Sequence, residues 1–228
     1  MTAPELKSAR LNKGWTQTRA ATHMRMTQAY LNFLENGKRR LTPELVRRAT
    51  SVYGLSPEVL PVADAFTPPD VDDQRLTALL AQLEYPGFMY LRSHPPKKNP
   101  SEVLLTALAK ESLDGRVAEA LPWVAMKYAQ PERWLVENAR RFNLQNRLGF
   151  VVSLGRRVAE MRGEGARTVE LKQLENMLDE GRLAKEDFFY RPPRTEGERA
   201  WLKRNRTHDA EHWNLLTDMR AEKLQYAR

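Results

Sequence analysis

Residues 16–40, TQTRAATHMRMTQAYLNFLENGKRR, contain two Thr-Gln pairs eleven positions apart, Thr16–Gln17 and Thr27–Gln28. They are followed by Ala29, Tyr30 and Asn32 and by a basic cluster of Lys38, Arg39 and Arg40. A primary amide holds a donor and an acceptor side by side, so Gln28 and Asn32 match the edges that base pairs present in a major groove. The Tyr30 hydroxyl adds a further hydrogen-bonding group, and the Ala29 methyl can lie against a thymine methyl. Lys and Arg side chains, with the unpaired N–H groups of helix N-termini, suit phosphate oxygens. Together these groups could read a duplex, with phosphate contacts that position the protein and amides that discriminate.

A second stretch with chemical potential is HDAEH at 208–212, an H-x-x-E-H pattern with His208 and His212 on one helical face and Glu211 beside them. A hydrolytic zinc site needs a third ligand. Glu222, the one glutamate downstream, would lie about 15 Å along a continuous helix from His212, too far for one ion. The two histidines read instead as the polar face of a helix whose other face holds Trp213, Leu215 and Leu216. His23 and His94 belong to no metal-ligand motif. No phosphate-binding glycine loop and no nucleophile-elbow motif occurs, and the absence of cysteine excludes disulfides and thiolate metal sites. Trp123, Trp134, Trp201 and Trp213 sit at apolar helical positions and are expected in cores. RPPR (191–194) and KRNR (203–206) read as solvated surface that could add electrostatic contacts to DNA or to an acidic partner. No catalytic residue, metal or cofactor is assigned.

The groups in 16–40 need short helices to hold them. Apolar positions at helical spacing over 5–13 end at Gly14, Thr16 caps a helix to about Met24, and Thr27 caps another from Gln28 to Glu35. Thr42 and Pro43 open a fourth helix that Gly54 closes, and Ser56 and Pro57 repeat the device for a fifth. Ala20, Ala21, Met24, Met26, Leu31 and Leu34 are expected to form the shared core, leaving Gln28, Ala29, Tyr30, Asn32 and Phe33 exposed. Charge follows the same boundary. Residues 1–63 hold ten basic and four acidic side chains, a net of +6, so only +2 of the chain's +8 belongs to residues 64–228. Basicity of this kind favours polyanionic partners.

With these elements in order, the stretch resembles the Cro and lambda-repressor-like helix-turn-helix family of the xenobiotic-response-element type. The match covers about residues 4–62 and runs without a gap through LKSAR, GWTQ, MTQAYLNFLENGKR and LTPELVRRATSVYGLSPEVL. The resemblance implies that Gln17 contacts a phosphate and braces Gln28, and that Arg10 and Glu35 form a structural ion pair. It also implies phosphate contacts by Asn36, Gly37, Lys38, Arg39 and Arg40. Two positions depart from the family. Arg25 stands where a left-handed glycine is usual, at a cost of about 1 kcal/mol, and Phe33 replaces a common polar residue, either to wedge against a sugar or methyl group or to pack on a neighbouring helix.

Beyond it, DAFTPPDVDD (64–73) reads as an exposed linker with paired prolines and four aspartates. A helix from about Gln74 to Leu83, an irregular proline-rich stretch, and helical text from Ser101 onward follow, with no convincing strand. EALPWVAMKY (119–128) and NRLGFVVSLG (146–155) resemble each other at a constant offset of 27, a hint of stacked helix pairs, and Pro122 should kink its helix or start a new one. Parts of residues 100–220 also resemble the helical C-terminal region of regulators encoded beside abortive-infection nucleotidyltransferase toxins, which implies an antitoxin that represses its own operon.

The sequence thus specifies an all-α chain: a five-helix helix-turn-helix domain over 1–63, a linker over 64–73, and an all-helical dimerisation and partner-binding domain over 74–228. The expected function is a cytoplasmic, non-enzymatic, homodimeric DNA-binding repressor with a double-stranded operator and a toxin as partners, without membrane association. The alternatives are a zinc hydrolase site at HDAEH and a pure protein-interaction module.

Overall fold

The computed structural model describes residues 1–92 and 94–227. The chain divides into two compact units, Met1–Asp64 with His94–Asn99, and Ala65–Ser93 with Pro100–Arg228.

In the first unit, helices α1 (Ala3–Asn12), α2 (Gln17–His23), α3 (Gln28–Glu35) and α4 (Pro43–Tyr53) precede a single 3-10 turn at Pro57–Val59. Their starts share one device. The hydroxyls of Thr2, Thr16, Thr27 and Thr42 accept hydrogen bonds from the N–H three residues on, satisfying a donor that the helix itself cannot pair. Gly54 ends α4 in the left-handed region, at φ +64°. Ser56 makes no such capping bond, so the expected fifth helix is reduced to one 3-10 turn. Leu6, Ala20, Met24, Leu31, Leu34 and Ala49 are fully buried, and Met26 packs partly buried at their margin. The Asn99 amide closes this unit by donating to the carbonyls of Glu58 at 3.2 Å and Leu60 at 2.7 Å.

The second unit contains α5 (Asp73–Gln82), a 3-10 helix at Pro86–Leu91, α6 (Pro100–Leu108), α7 (Gly115–Lys127), α8 (Glu132–Arg141), α9 (Gln145–Met161) and α10 (Gly165–Asp179). Then follow β1 (Asp187–Phe188), α11 (Glu196–Asn205), α12 (His208–His212), β2 (Leu215–Leu216) and a 3-10 turn at Ala221–Lys223. The centre is α9, buried on nearly every face from Gln145 to Gly155. Two glycines make that burial possible. A Cβ on Gly149 would meet the Trp213 ring at 2.4–2.5 Å, and one on Gly155 would lie 2.9 Å from the Pro122 carbonyl. The similar segments 119–128 and 146–155 therefore lie mostly on α7 and α9, which pack on each other. Pro122 stands inside an uninterrupted α7, so it neither ends that helix nor begins another.

Three expectations about this unit fail. The helix expected to hold His208 and His212 on one face and Trp213, Leu215 and Leu216 on the other does not run that far: α12 stops at His212, Asn214 takes φ +52°, and Leu215–Leu216 pairs in parallel with Asp187–Phe188. The reason is burial on more than one side. Trp213, Leu215 and Leu216 are all buried, which a surface helix with one apolar face could not achieve. Trp201 is 47% exposed on α11, a helix with no buried residue. Finally, the stretch read as an exposed linker includes Phe66, which is buried against Trp134 and Phe142 at ring-centroid distances of 5.2 and 6.3 Å.

Candidate nucleic-acid interface

The turn from Met24 to Thr27 joins α2 to α3. Arg25 adopts φ +52°, the conformation that glycine favours, and Met26 N–H donates to the Ala21 carbonyl at 3.0 Å to close the turn. Arg48, which the sequence reading left unassigned, caps the end of α2 by donating to the Met24 carbonyl at 3.1 Å. Its signal was the basic side chain on α4 itself, but its target is set only by how α4 packs.

A buried pair anchors α1 to α3. Arg10 Nε donates to Glu35 Oε1 at 2.6 Å and Arg10 Nη2 to Glu35 Oε2 at 3.0 Å, with side chains 8% and 1% exposed. Arg10 Nη1 also donates to the Trp15 carbonyl at 2.8 Å. Hydrogen bonding to Glu35 holds the Arg10 guanidinium above its ordinary range against the opposing effect of burial. Burial pushes the Glu35 carboxyl up, but bonds from Arg10 and Gln17 outweigh it and leave Glu35 below the usual carboxylate range.

From this pair a line of amides runs outward. Gln17 Nε2 donates to Glu35 Oε2 at 3.0 Å and lies 3.4 Å from Asn32 Oδ1, while Gln17 Oε1 accepts Gln28 Nε2 at 3.1 Å. Gln17 thus braces Gln28, and its amide protons are directed at protein acceptors. In this arrangement a phosphate at the start of α2 would meet backbone N–H groups rather than this side chain. Asn36 Nδ2 donates to Asn32 O at 2.9 Å and Oδ1 at 2.6 Å, which commits that side chain too.

Gln28 and Ala29 are exposed on the first turn of α3, with Thr16 and Thr27 exposed at the caps of α2 and α3. Tyr30 and Asn32 are half-buried rather than exposed, because Tyr30 packs against the core and Asn32 turns toward Gln17 and Asn36. Phe33 is 41% exposed, and its ring lies 6.0 Å from Lys38 Nζ. The loop after α3 bends through Gly37 at φ +68° and is fastened by the Lys38 and Arg39 N–H groups, which donate to the Phe33 carbonyl at 2.8 and 3.3 Å. Lys38, Arg39 and Arg40 stand exposed beside it. Exposed amides, capped helix N-termini and exposed cations are thus all carried by α2, α3 and the loop that follows, a grouping that pairs sequence readout with phosphate contact.

A family model described as helix-turn-helix matches residues 6–60. Residues 6–60 form a helix-turn-helix domain. The match supports binding to DNA and a role in transcription regulation for this quarter of the chain. No curated protein and no solved structure matches the chain. The helix-turn-helix domain accounts for the spacing of the two Thr-Gln pairs, since each opens one of its two central helices.

The remaining candidates lie in the second unit. His212 Nε2 is 2.9 Å from Asp179 Oδ1, and among the described residues no three metal-binding side chains are grouped. Three of the five cations of the two basic runs have carboxylate partners: Arg191 with Glu198 at 2.9 Å, Lys203 with Glu186 at 3.8 Å and Arg206 with Glu211 at 3.5 Å. No described helix is long and apolar enough to cross a membrane.

Proposed function

We propose that the protein is a sequence-specific, homodimeric, non-enzymatic DNA-binding repressor that acts by occluding the promoter of its own operon. The observation behind this reading is Gln28: exposed at the start of α3 and tied through Gln17 to a buried ion pair, it is pre-set for a base edge rather than left to solvent. A single domain of this size covers one half-site, and a two-fold dimer gains affinity by placing two recognition helices about 34 Å apart in successive major grooves. The second unit supplies surface for that pairing. On α11, Gly197, Ala200, Trp201 and Arg204 form an exposed stripe at i, i+3, i+4 and i+7.

The test is a titration of the full-length protein against a duplex from upstream of its own gene, beside a scrambled duplex, at two salt concentrations. The expected result is an affinity ratio that persists at the higher salt, with a two-to-one protein-to-duplex stoichiometry. Equal affinities that fall together with salt would leave only the electrostatic term and overturn sequence-specific repression.

The antitoxin role is a finer part of the same proposal, motivated by the C-terminal resemblance and by the exposed face of α11. Co-expression with the product of the neighbouring reading frame should restore growth that this product alone arrests. Unrelieved arrest removes the antitoxin role and leaves the repressor reading intact.

A further inference from the structure

The paired strands and the start of α11 enclose a cavity of about 520 Å³, within the range of roughly 300–1,000 Å³ usual for small-molecule sites. Helix α11 packs on β2 without burying any residue of its own and is fastened by ion pairs. Glu186 takes Arg199 at 2.6 Å and Lys203 at 3.8 Å, and Glu198 takes Arg191 at 2.9 Å. Phe188 and Leu216 from the two strands, with Pro192 and Pro193 from the loop before α11, give the cavity an apolar surface.

Charges of both signs share the wall: Lys185, Arg194 and Arg199 against Glu186, Asp187 and Glu196. Two of these carboxylates are already matched. The bond from Arg199 holds the Glu186 carboxyl below its usual range, and Asp187 takes Arg147 Nε at 2.8 Å and Nη2 at 3.0 Å. With Arg147 and Lys203 included, five cations stand against three carboxylates, an excess of two. Lys185 and Arg194 carry that excess: both are exposed, and neither side chain makes an ion pair or a hydrogen bond among the described residues.

We propose that this cavity binds a small amphipathic organic anion, a carboxylate, sulfonate or phosphate ester on a ring or short hydrocarbon, with its acidic group taken by Lys185 and Arg194 and its apolar part against Phe188, Pro193 and Leu216. An inorganic anion would leave the apolar surface unused, and a neutral hydrocarbon would leave the two cations without an acceptor. An organic cation would meet the positive excess. The site lies wholly within the second unit and does not depend on the DNA-reading function proposed above.

The experiment is a titration of the full-length protein with anilinonaphthalene sulfonate, a ring system bearing one sulfonate, whose fluorescence rises in apolar surroundings. One dye per chain should bind saturably. Lys185→Glu and Arg194→Glu should each weaken binding by about tenfold. Lys223→Glu, the same change of charge on an exposed residue outside the cavity wall, should leave the affinity within about twofold. Two comparisons need only wild type and decide the matter if a charge-reversed variant does not fold. Phenylnaphthylamine, the same rings without the sulfonate, should bind about tenfold more weakly, and sodium sulfate equimolar with the dye should not displace it. Absence of saturable binding overturns the proposal, as do equal affinities for the two ring compounds or an unmoved affinity in folded Lys185→Glu and Arg194→Glu. Displacement by equimolar sulfate overturns it too, because the apolar surface would then contribute nothing.

Discussion

Glu35 is 1% exposed and holds Arg10, Gln17 and, through Gln17, Gln28 in place. Its carboxyl is depressed below the ordinary value of 4.5, so its contribution to stability is fully present above that value and is lost as pH falls through the lower folded one. Arg10 stays charged throughout. Replacing Glu35 with Gln leaves a buried guanidinium short of an acceptor and should cost about 3 kcal/mol at pH 7. The gap between wild type and Glu35→Gln should narrow at pH 3, where the wild-type side chain is itself neutralised. Urea unfolding of both proteins at the two pH values measures this, and a gap independent of pH would show that the carboxylate charge is not what secures Arg10. At the neighbouring turn, Arg25 tolerates φ +52° because the surrounding caps and the Met26 to Ala21 bond fix the backbone, so the sequence departs from glycine without losing the turn.

Helix α9 shows how one element decides the packing of a unit. Several of its buried polar side chains are bonded to neighbours: Ser153 Oγ accepts from Trp213 Nε1 at 2.8 Å and lies 2.9 Å from both the Gly149 carbonyl and Glu175 Oε1. Arg147 donates to Asp187 Oδ2 at 2.8 Å and to the carbonyls of Leu108 and Lys110, which ends α6 and ties it to β1. Trp213 is fully buried over Gly149, so its ring has no free direction in which to move. Gly149→Ala should therefore destabilise the second unit by about 1–3 kcal/mol. Gly165→Ala, whose Cβ would meet nothing within 4 Å, should be neutral or stabilising by less than about 1 kcal/mol. Thermal unfolding followed by near-ultraviolet dichroism, which senses Trp213, compares the two, and equal melting temperatures would mean that the indole yields.

For the whole molecule, the division of charge sets the expected response to salt. The excess of cations lies in residues 1–63, while residues 64–228 contribute +2, and many of their arginines are paired with carboxylates or backbone carbonyls. Phosphate contact and salt sensitivity should therefore be properties of the helix-turn-helix domain. Lys38→Ala in the full-length protein should reduce the slope of log affinity against log salt by about 1 and weaken specific and random duplexes alike. Fluorescence anisotropy over a salt series gives that slope. An unchanged slope would place Lys38 outside the phosphate contacts.

The first unit was legible in the sequence because its instructions are local. Threonine hydroxyls, Pro43 and Gly54 mark helix ends within one turn of themselves, and the apolar spacing of Ala20, Met24, Leu31 and Leu34 names the core directly. Which residues share a face follows from the same periodicity, but the half-burial of Tyr30 and Asn32 does not, because it depends on partners up to fifteen residues away. In the second unit, helix existence was readable from Ser101 to about Met161, since long periodic segments declare themselves. The strand pair, the early end of α12 and the exposure of Trp201 were not readable. These were decided by contacts between residues far apart in the chain, such as Asp187 with Leu215 and Gly149 with Trp213, whose energies no local pattern encodes. Composition and spacing determined a basic helix-turn-helix reader. Only the tertiary structure decided which way the Gln17 amide faces, because its nitrogen donates to a carboxylate buried between two helices.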